Sequence, residues 1–342
     1  MDGRLFIDLD GFEISSEEKE LINHPFVAGI ILFSRNFQNR DQLRNLVRQI
    51  KEVRSPSLLV GVDQEGGSVQ RFKKDFSTLP PLSAIGDKYE ENPERSKSLA
   101  RDHAWLMASE LLDVGVDFSF SPVVDLKDQR NSVIGNRAFH SHPEVVSVLA
   151  SIYVKTLNLC GMPAIAKHFP GHGLVAEDSH FDLPVDDRSL ASIMSNDILP
   201  YRKIMEVGLT GIMMAHVLYS KVDDRAAGYS EIWMRRILRE ELGFNGVIFS
   251  DDLNMVGAAV SDSYVERVSM ALEAGCDSLL LCNNRAGVEE VLDSQILEES
   301  ASKVSNRLEK MRSKQSPQEI LSLSGDSNWV RAKANLKAIG GT

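Results

Sequence analysis

The chain has 342 residues, 43% of them hydrophobic, which is enough for one large core, since barrels of ~250 residues commonly form a single domain. Its 38 Lys and Arg are outweighed by 49 Asp and Glu, giving a formal charge of −11 that repels phosphate backbones and anionic lipid heads, so neither nucleic acid nor a membrane surface is expected as a partner. The odd count of three cysteines (Cys160, Cys276, Cys282), none in a CxxC pair, reads as buried thiols in a reducing compartment. The start MDGRLFIDLDG has no basic segment leading into an apolar run, and no stretch reaches the ~18 apolar residues of a membrane span, so a cytoplasmic location is expected.

In chain order, short apolar runs bounded by turns predict strands at Leu5–Leu9, Ala28–Phe33, Leu58–Val62, Asp117–Val124, Met162–Ala166, Gly211–Ala215, Val247–Ser250 and Ser278–Cys282. Amphipathic segments between them predict helices at Ser16–Asn23, opened by a Ser15/Glu18 capping box, and at Asp41–Val53, Glu94–Val114, Pro143–Cys160, Ile198–Val207, Ile232–Leu242 and Ser263–Ala274. The phrase helix, glycine, apolar run, polar residue recurs, and the glycine suits the left-handed position that ends a helix. The interval from glycine to polar residue is the same in three units: Gly208 to His216, Gly243 to Asp251 and Gly275 to Asn283.

Near-continuous apolar strands alternating with helices imply a covered parallel sheet, and eight such units close most naturally into a (β/α)₈ TIM barrel over residues 1–295. An open doubly wound sheet is the other topology the pattern allows. After Gln295 the strand pattern stops. Ile296–Arg312 reads as a helix and Ser313–Thr342 as a polar, partly helical tail, the whole of 296–342 packing on the outside of a single-domain barrel.

In such a barrel catalytic groups follow the carboxyl ends of the strands. Those positions hold Asp63, Asp125, Lys167 and His168, His216, Asp251 and Asp252, and Asn283. Asp125 or Asn283 alone reads as a cap or a surface charge; six strands pointing such groups at one face do not. Two connections are long for αβ units, from Asp63 to about Asn92 and from Lys167 to about Asp187. The first contains VDQEGGSVQRF, in which Asp63 and Arg71 are suited to hydroxyl and carbonyl groups of a ligand.

The second is KHFPGHGLVAEDSHFDLP. Zinc is one reading of His168, His172 and His180, but HFPGH has neither HExxH spacing nor a Cys partner, so no metal and no cofactor is expected. Asp178 stands two residues from His180, close enough to orient the imidazole and raise its basicity for proton transfer near neutral pH. Asp251, directly after GVIFS, is either a structural anchor or a nucleophile. Alternation turns Asp252 the other way, toward capping a helix at Leu253–Ala259.

VDQEGGSVQRF, IGNRAF, KHFPGHG, the following DSH and GVIFSDDLNM, in that order from about residue 5 to about residue 285, resemble family 3 glycoside hydrolases, specifically the single-domain bacterial β-N-acetylglucosaminidases of cell-wall recycling. The resemblance implies Asp251 as nucleophile, His180 as acid/base and Asp178 as its partner. It implies Asp63, Arg71, Arg137, Lys167 and His168 as positions gripping a terminal N-acetylglucosamine, and His216 as a further substrate-binding position near them. Ser68 and Asn136 stand where the family commonly has a basic and an acidic residue, which affects fine contacts to the sugar.

The implied substrate is N-acetylglucosamine β-1,4-linked to 1,6-anhydro-N-acetylmuramic acid, with or without its peptide. Hydrolysis would proceed with retention through a glycosyl-Asp251 intermediate, and a histidine acid/base has an ordinary pKa near ~6.5. The same residues allow phosphate as acceptor in place of water, making the enzyme a phosphorylase, and an inactive barrel that binds cell-wall fragments is the reading from a different class. A monomer with a small carbohydrate ligand is expected.

Overall fold

In this computed structural model the described residues are 3–128, 130–131, 133–175, 183–294, 296, 302–313 and 326–340. The strands are β1 Leu5–Asp8, β2 Val27–Leu32, β3 Leu59–Val62, β4 Phe118–Ser119, β5 Ile165–Phe169, β6 Gly211–Met214, β7 Val247–Asp252 and β8 Ser278–Leu280. All pair in parallel, in the order β4-β3-β2-β1-β8-β7-β6-β5. The ends of this row meet, because Val123 bridges Lys167 and Ile165 N–H donates to Ser121 O at 3.0 Å. The run expected as one strand over Asp117–Val124 thus divides, pairing with β3 first and β5 afterwards.

Helices follow the strands: α1 Ser16–Ile22, α2 Arg40–Glu52, α3 Pro93–Asp113, α4 Pro143–Leu159, α5 Ile198–Met205, α6 Ile232–Glu241 of π type, α7 Tyr264–Ala274 and α8 Arg285–Asp293. α1 begins with the expected capping box, Glu18 N–H donating to Ser15 Oγ at 3.1 Å and Ser15 N–H to Glu18 at 2.9 Å. The glycines before β4 to β8 (Gly115, Gly161, Gly208, Gly243 and Gly275) all have φ between 71° and 116°, the left-handed turn that releases a helix into the next strand. The sequence pattern missed α8, which Asn284 caps by accepting the Gly287 N–H at 2.9 Å. No helix among the described residues is long and apolar enough to cross a membrane.

Strand alternation sorts side chains into two cores. Leu5, Ile7, Val60, Ile212 and Ile248 face the helices, while Phe6, Leu59, Phe118, Ile165, Met213, Val247 and Phe249 fill the barrel. Phe6, Phe118, Phe120 and Phe249 meet edge-on or tilted, with centroids 5.3–6.2 Å apart. Space for them depends on glycine: a Cβ at Gly29 or Gly61 would lie 2.4 Å from the ring of Phe6 or Phe118. The same alternation continues upward, so Asp63, Lys167 and Asp251 form the next inward layer at the carboxyl ends of β3, β5 and β7.

The C-terminal region differs from expectation. Helix α9, Ser302–Glu309, does not lie outside: Val304 and Leu308, with Met311 beyond it, join the interior core and close the amino-terminal mouth. Arg307 pairs with Asp277 at 2.8 Å, and Arg312 donates to Ser57 O at 2.7 Å, both at strand starts. Covering the apolar floor of the barrel favours this placement. Helix α10, Ser327–Lys337, does pack on the surface, against α3 through Ala332 and Leu336 and the Asn335–Asp102 hydrogen bond at 2.8 Å.

Leu308→Ala should therefore behave as a core truncation, costing ~2–5 kcal/mol in chemical denaturation with little change in kcat. A loss below ~1 kcal/mol would mean that α9 is an ornament on the barrel.

Candidate active site

Asp63, Arg71, Arg137, Lys167, His168 and Asp251, expected to act together, line one cavity of about 240 Å³ at the carboxyl face. This is below the ~300–1,000 Å³ of drug-sized sites, room for a single sugar ring. Glu65, His172, Asp252, Phe33 and Met213 complete much of its wall.

Lys167 is the hub. Its Nζ lies 2.6 Å from Asp63 Oδ1 and 2.6 Å from Glu65 Oε1, and Arg137 grips the same Glu65 through two bonds of 2.8 Å. Burial would lower the lysine, but Asp63 and Glu65 reverse this and raise it; burial would raise Glu65, but Arg137 and Lys167 pull it well below the usual carboxylate range. Lys167, Glu65 and Arg137 are therefore charged in the working site. Arg71 reaches Asp63 at 3.9 Å and lies over the Phe33 ring at 5.6 Å.

The motif VDQEGG pointed to Asp63 and left Glu65 unused. A signal was available, because residues two apart on an extended chain share a face, so an inward Asp63 implies an inward Glu65. Asp125, ambiguous alone, is buried and holds the KHFPGH segment in place. It accepts His168 Nδ1–H at 2.7 Å and the His172 N–H at 2.7 Å, which leaves Nε2 of His168 for other partners.

Asp251 and Asp252 both fall inside β7, two residues beyond the expected strand end. Burial would raise the Asp251 carboxyl; His168, His216, the Asp252 N–H at 2.9 Å and Lys167 more than offset it, leaving Asp251 below its ordinary value and ionised. Asp252 lacks such neighbours and is pushed up to about 7, first by burial and then by the charges of Asp251 and Asp8. Its Oδ1 accepts the N–H groups of Asn254 and Cys282, both at 3.0 Å. It thus braces a turn and the end of β8 in place of capping the expected helix, and only a short 3₁₀ turn, Val256–Ala258, follows.

His216 was grouped with the binding positions but is not on the cavity wall. Its ring is buried beside Asp251 and stacks on Tyr229 at 5.9 Å, and among the described residues neither ring nitrogen makes a hydrogen bond of ordinary geometry. An unpaired buried polar group costs ~1–3 kcal/mol. Asp178 and His180 lie outside the described residues. The flanking chain is anchored at the carboxyl face, Asn131 Nδ2 donating to the carbonyls of His172 (2.8 Å) and Val175 (2.7 Å), and Leu218 N–H donating to Pro184 O at 2.9 Å.

An acid pair and a cationic clamp at the top of a sugar-sized barrel cavity suit glycoside chemistry. The profile of the glycosyl hydrolase family 3 N terminal domain matches residues 6–313. The chain is a family 3 glycoside hydrolase. A Nitrosospira multiformis protein named beta-hexosaminidase is 45% identical over 99% of this family 3 chain and 97% of its own length. NagZ from Neisseria gonorrhoeae, solved in complex with N-trifluoroacetyl-D-glucosamine, superimposes with a TM-score of 0.94 at 38% identity, covering 99% of this chain and 98% of that one. A second structure of the same Neisseria protein, in complex with a zinc ion, superimposes at 0.92 with 37% identity over the same shares. Among the described residues of the family 3 chain, no group of three His, Cys, Asp or Glu side chains is placed to hold a metal ion.

Glu65→Gln should cost ~3–5 kcal/mol at neutral pH, the scale of breaking a buried ion pair. Because the folded-state value is depressed, the stabilisation is fully present above the unfolded value near 4.5 and is lost as pH falls toward the folded value. Thermal melts of wild type and variant should accordingly converge in acid; a gap that widens there would contradict the assignment.

Proposed function

We propose that this enzyme is a retaining exo-β-N-acetylglucosaminidase that removes non-reducing terminal N-acetylglucosamine from β-1,4-linked 1,6-anhydro-muropeptides in cell-wall recycling. At the coarser level it is a glycoside hydrolase of the β-hexosaminidase class, as its near full-length relatives are. The observation carrying the finer reading is Asp251, an ionised carboxylate on the wall of a cavity of one sugar ring's size, with Lys167 and Arg137 held charged across it. The Neisseria protein's complex with N-trifluoroacetyl-D-glucosamine supports an N-acylated glucosamine as the occupant.

In this mechanism Asp63, Lys167, Arg137, Arg71 and His168 hold the sugar's polar groups and exclude water. Asp251 attacks the anomeric carbon, the bond to the departing oxygen breaks, and the imidazole of His180, oriented by Asp178, gives that oxygen its proton. The resulting glycosyl ester is opened by a water molecule whose proton returns to His180, and Asp251 leaves as the carboxylate. Two inversions give retention.

Asp251→Ala should lower kcat by ~10³-fold or more. A slow fluoro-sugar should leave its adduct on the wild-type peptide containing Asp251, as read by mass spectrometry, and label on another acid would overturn the assignment.

His180→Ala should separate substrates by leaving group. The disaccharide should lose toward the upper end of ~10²–10⁴-fold, while aryl N-acetylglucosaminides with good leaving groups keep most of their glycosylation rate. An equal loss on both would make His180 a binding residue.

A further inference from the structure

His216 is buried beside the nucleophile and takes no part in the steps above. It lies two residues past β6, the strand paired in parallel with β7, and is 1% exposed. Buried polar atoms in folded proteins nearly always find partners, yet among the described residues Nδ1 and Nε2 make no hydrogen bond of ordinary geometry, although the backbone of Asp251 and Asp252 lies near enough to act on the ring. Apolar contacts hold the ring in their place. It stacks on Tyr229 with 27° between planes, and the Tyr229 hydroxyl is itself fixed by donating to Ala258 O at 2.8 Å. Against the ring lies Gly228, where a Cβ would come to 2.9 Å of Nδ1.

The charged neighbours acting on His216 are Asp251 and His168; burial, the largest influence, keeps the imidazole below its ordinary value against the pull of the Asp251 charge and of the backbone of Asp252 and Asp251. A neutral imidazole offers one N–H. The Asp251 carboxylate accepts a single hydrogen bond among the described residues, from the Asp252 N–H to Oδ1. A donor and an acceptor, neither fully engaged among the described residues, thus stand together, Asp251 on the cavity wall and His216 behind it.

We propose that His216 is a positioning residue for the nucleophile, its N–H taken up by Asp251 Oδ2 when the sugar enters, so that the carboxylate is aligned on the anomeric carbon. The bond then passes to the ester carbonyl of the glycosyl-enzyme. A neutral donor serves both states, whereas an imidazolium would be left without its counter-charge once Asp251 is esterified. This role rests on Asp251 being the nucleophile, and it replaces a direct contact between His216 and the sugar.

His216→Phe keeps a ring for the Tyr229 stack and removes both nitrogens, while His216→Asn restores an N–H. Steady-state kinetics on an aryl N-acetylglucosaminide and the rate of fluoro-sugar labelling of Asp251 test the proposal. For His216→Phe, kcat and the labelling rate should fall together by roughly 10- to 100-fold, the scale of one hydrogen bond to a charged group, with KM within about twofold. The melting temperature should hold or rise, because two unpaired buried nitrogens are gone. His216→Asn should recover part of the rate. If His216→Phe melts early, the same contrast must appear between His216→Asn and His216→Leu.

An unaltered kcat and labelling rate in a folded variant overturns the proposal. So does a loss confined to KM, which marks a substrate contact, or one confined to poor leaving groups, which marks a proton donor. Absence of label on Asp251 in the wild type would overturn the retaining mechanism itself; wild-type label with an unchanged rate in the variants overturns only the role of His216.

Discussion

The Lys167 ammonium, buried between Asp63 and Glu65 with 2.6 Å to each, is the interaction on which the site depends. A buried cation is tolerated only when paired and hydrogen-bonded. Here the pairing joins β5 to the segment after β3, and through Glu65 it reaches Arg137 in the loop after β4. Three stretches of chain distant in sequence are thereby held to one geometry. The cluster sits directly on the aromatic interior, Lys167 Nζ lying 5.9 Å from the centre of the Phe120 ring.

One rule of strand geometry builds both levels of the barrel. Inward positions at the lower level carry Gly61, Ile165 and Phe249, and the next inward positions on the same strands carry Asp63, Lys167 and Asp251. The lower layer contributes stability, sealed at the amino-terminal end by Leu308 and Met311. The upper layer carries the chemistry and needs the lower one as a rigid floor. Its polar groups gain strength from the low dielectric that the phenylalanines provide.

Neighbouring acids of this site differ in charge because their surroundings differ. Glu65, fully buried, stays ionised because two cations contact it; Asp251 stays ionised through imidazoles, Lys167 and a backbone N–H; Asp252, beside it, has only backbone donors and two other carboxylates nearby and rises to about 7. Desolvation acts on all three in the same direction, so the partners decide the outcome. A carboxylate that is ionised and lightly hydrogen-bonded is a suitable nucleophile, and a clamp that is charged and fully engaged is a suitable holder for hydroxyl and amide groups.

By itself the sequence determined the eight-unit barrel, because helix and strand periodicities, and the glycines that end helices, are local properties written in adjacent residues. It also determined which strand ends carry ionisable groups, since position after an apolar run is readable without a fold. The fate of each group depended on partners far along the chain. Glu65 is recognisable as part of the clamp only once Arg137 and Lys167 surround it, and Asp125 only once His168 and His172 turn toward it. Helix α9 looked like tail because its apolar residues, Val304, Leu308 and Met311, have no meaning until the barrel mouth they fill exists. His216 shared its spacing with Asp251, but only tertiary packing against Tyr229 and Gly228 withdrew it from the cavity lining. Periodicity is set by the backbone and is local; burial, ionisation and pairing are set by whatever the fold brings alongside.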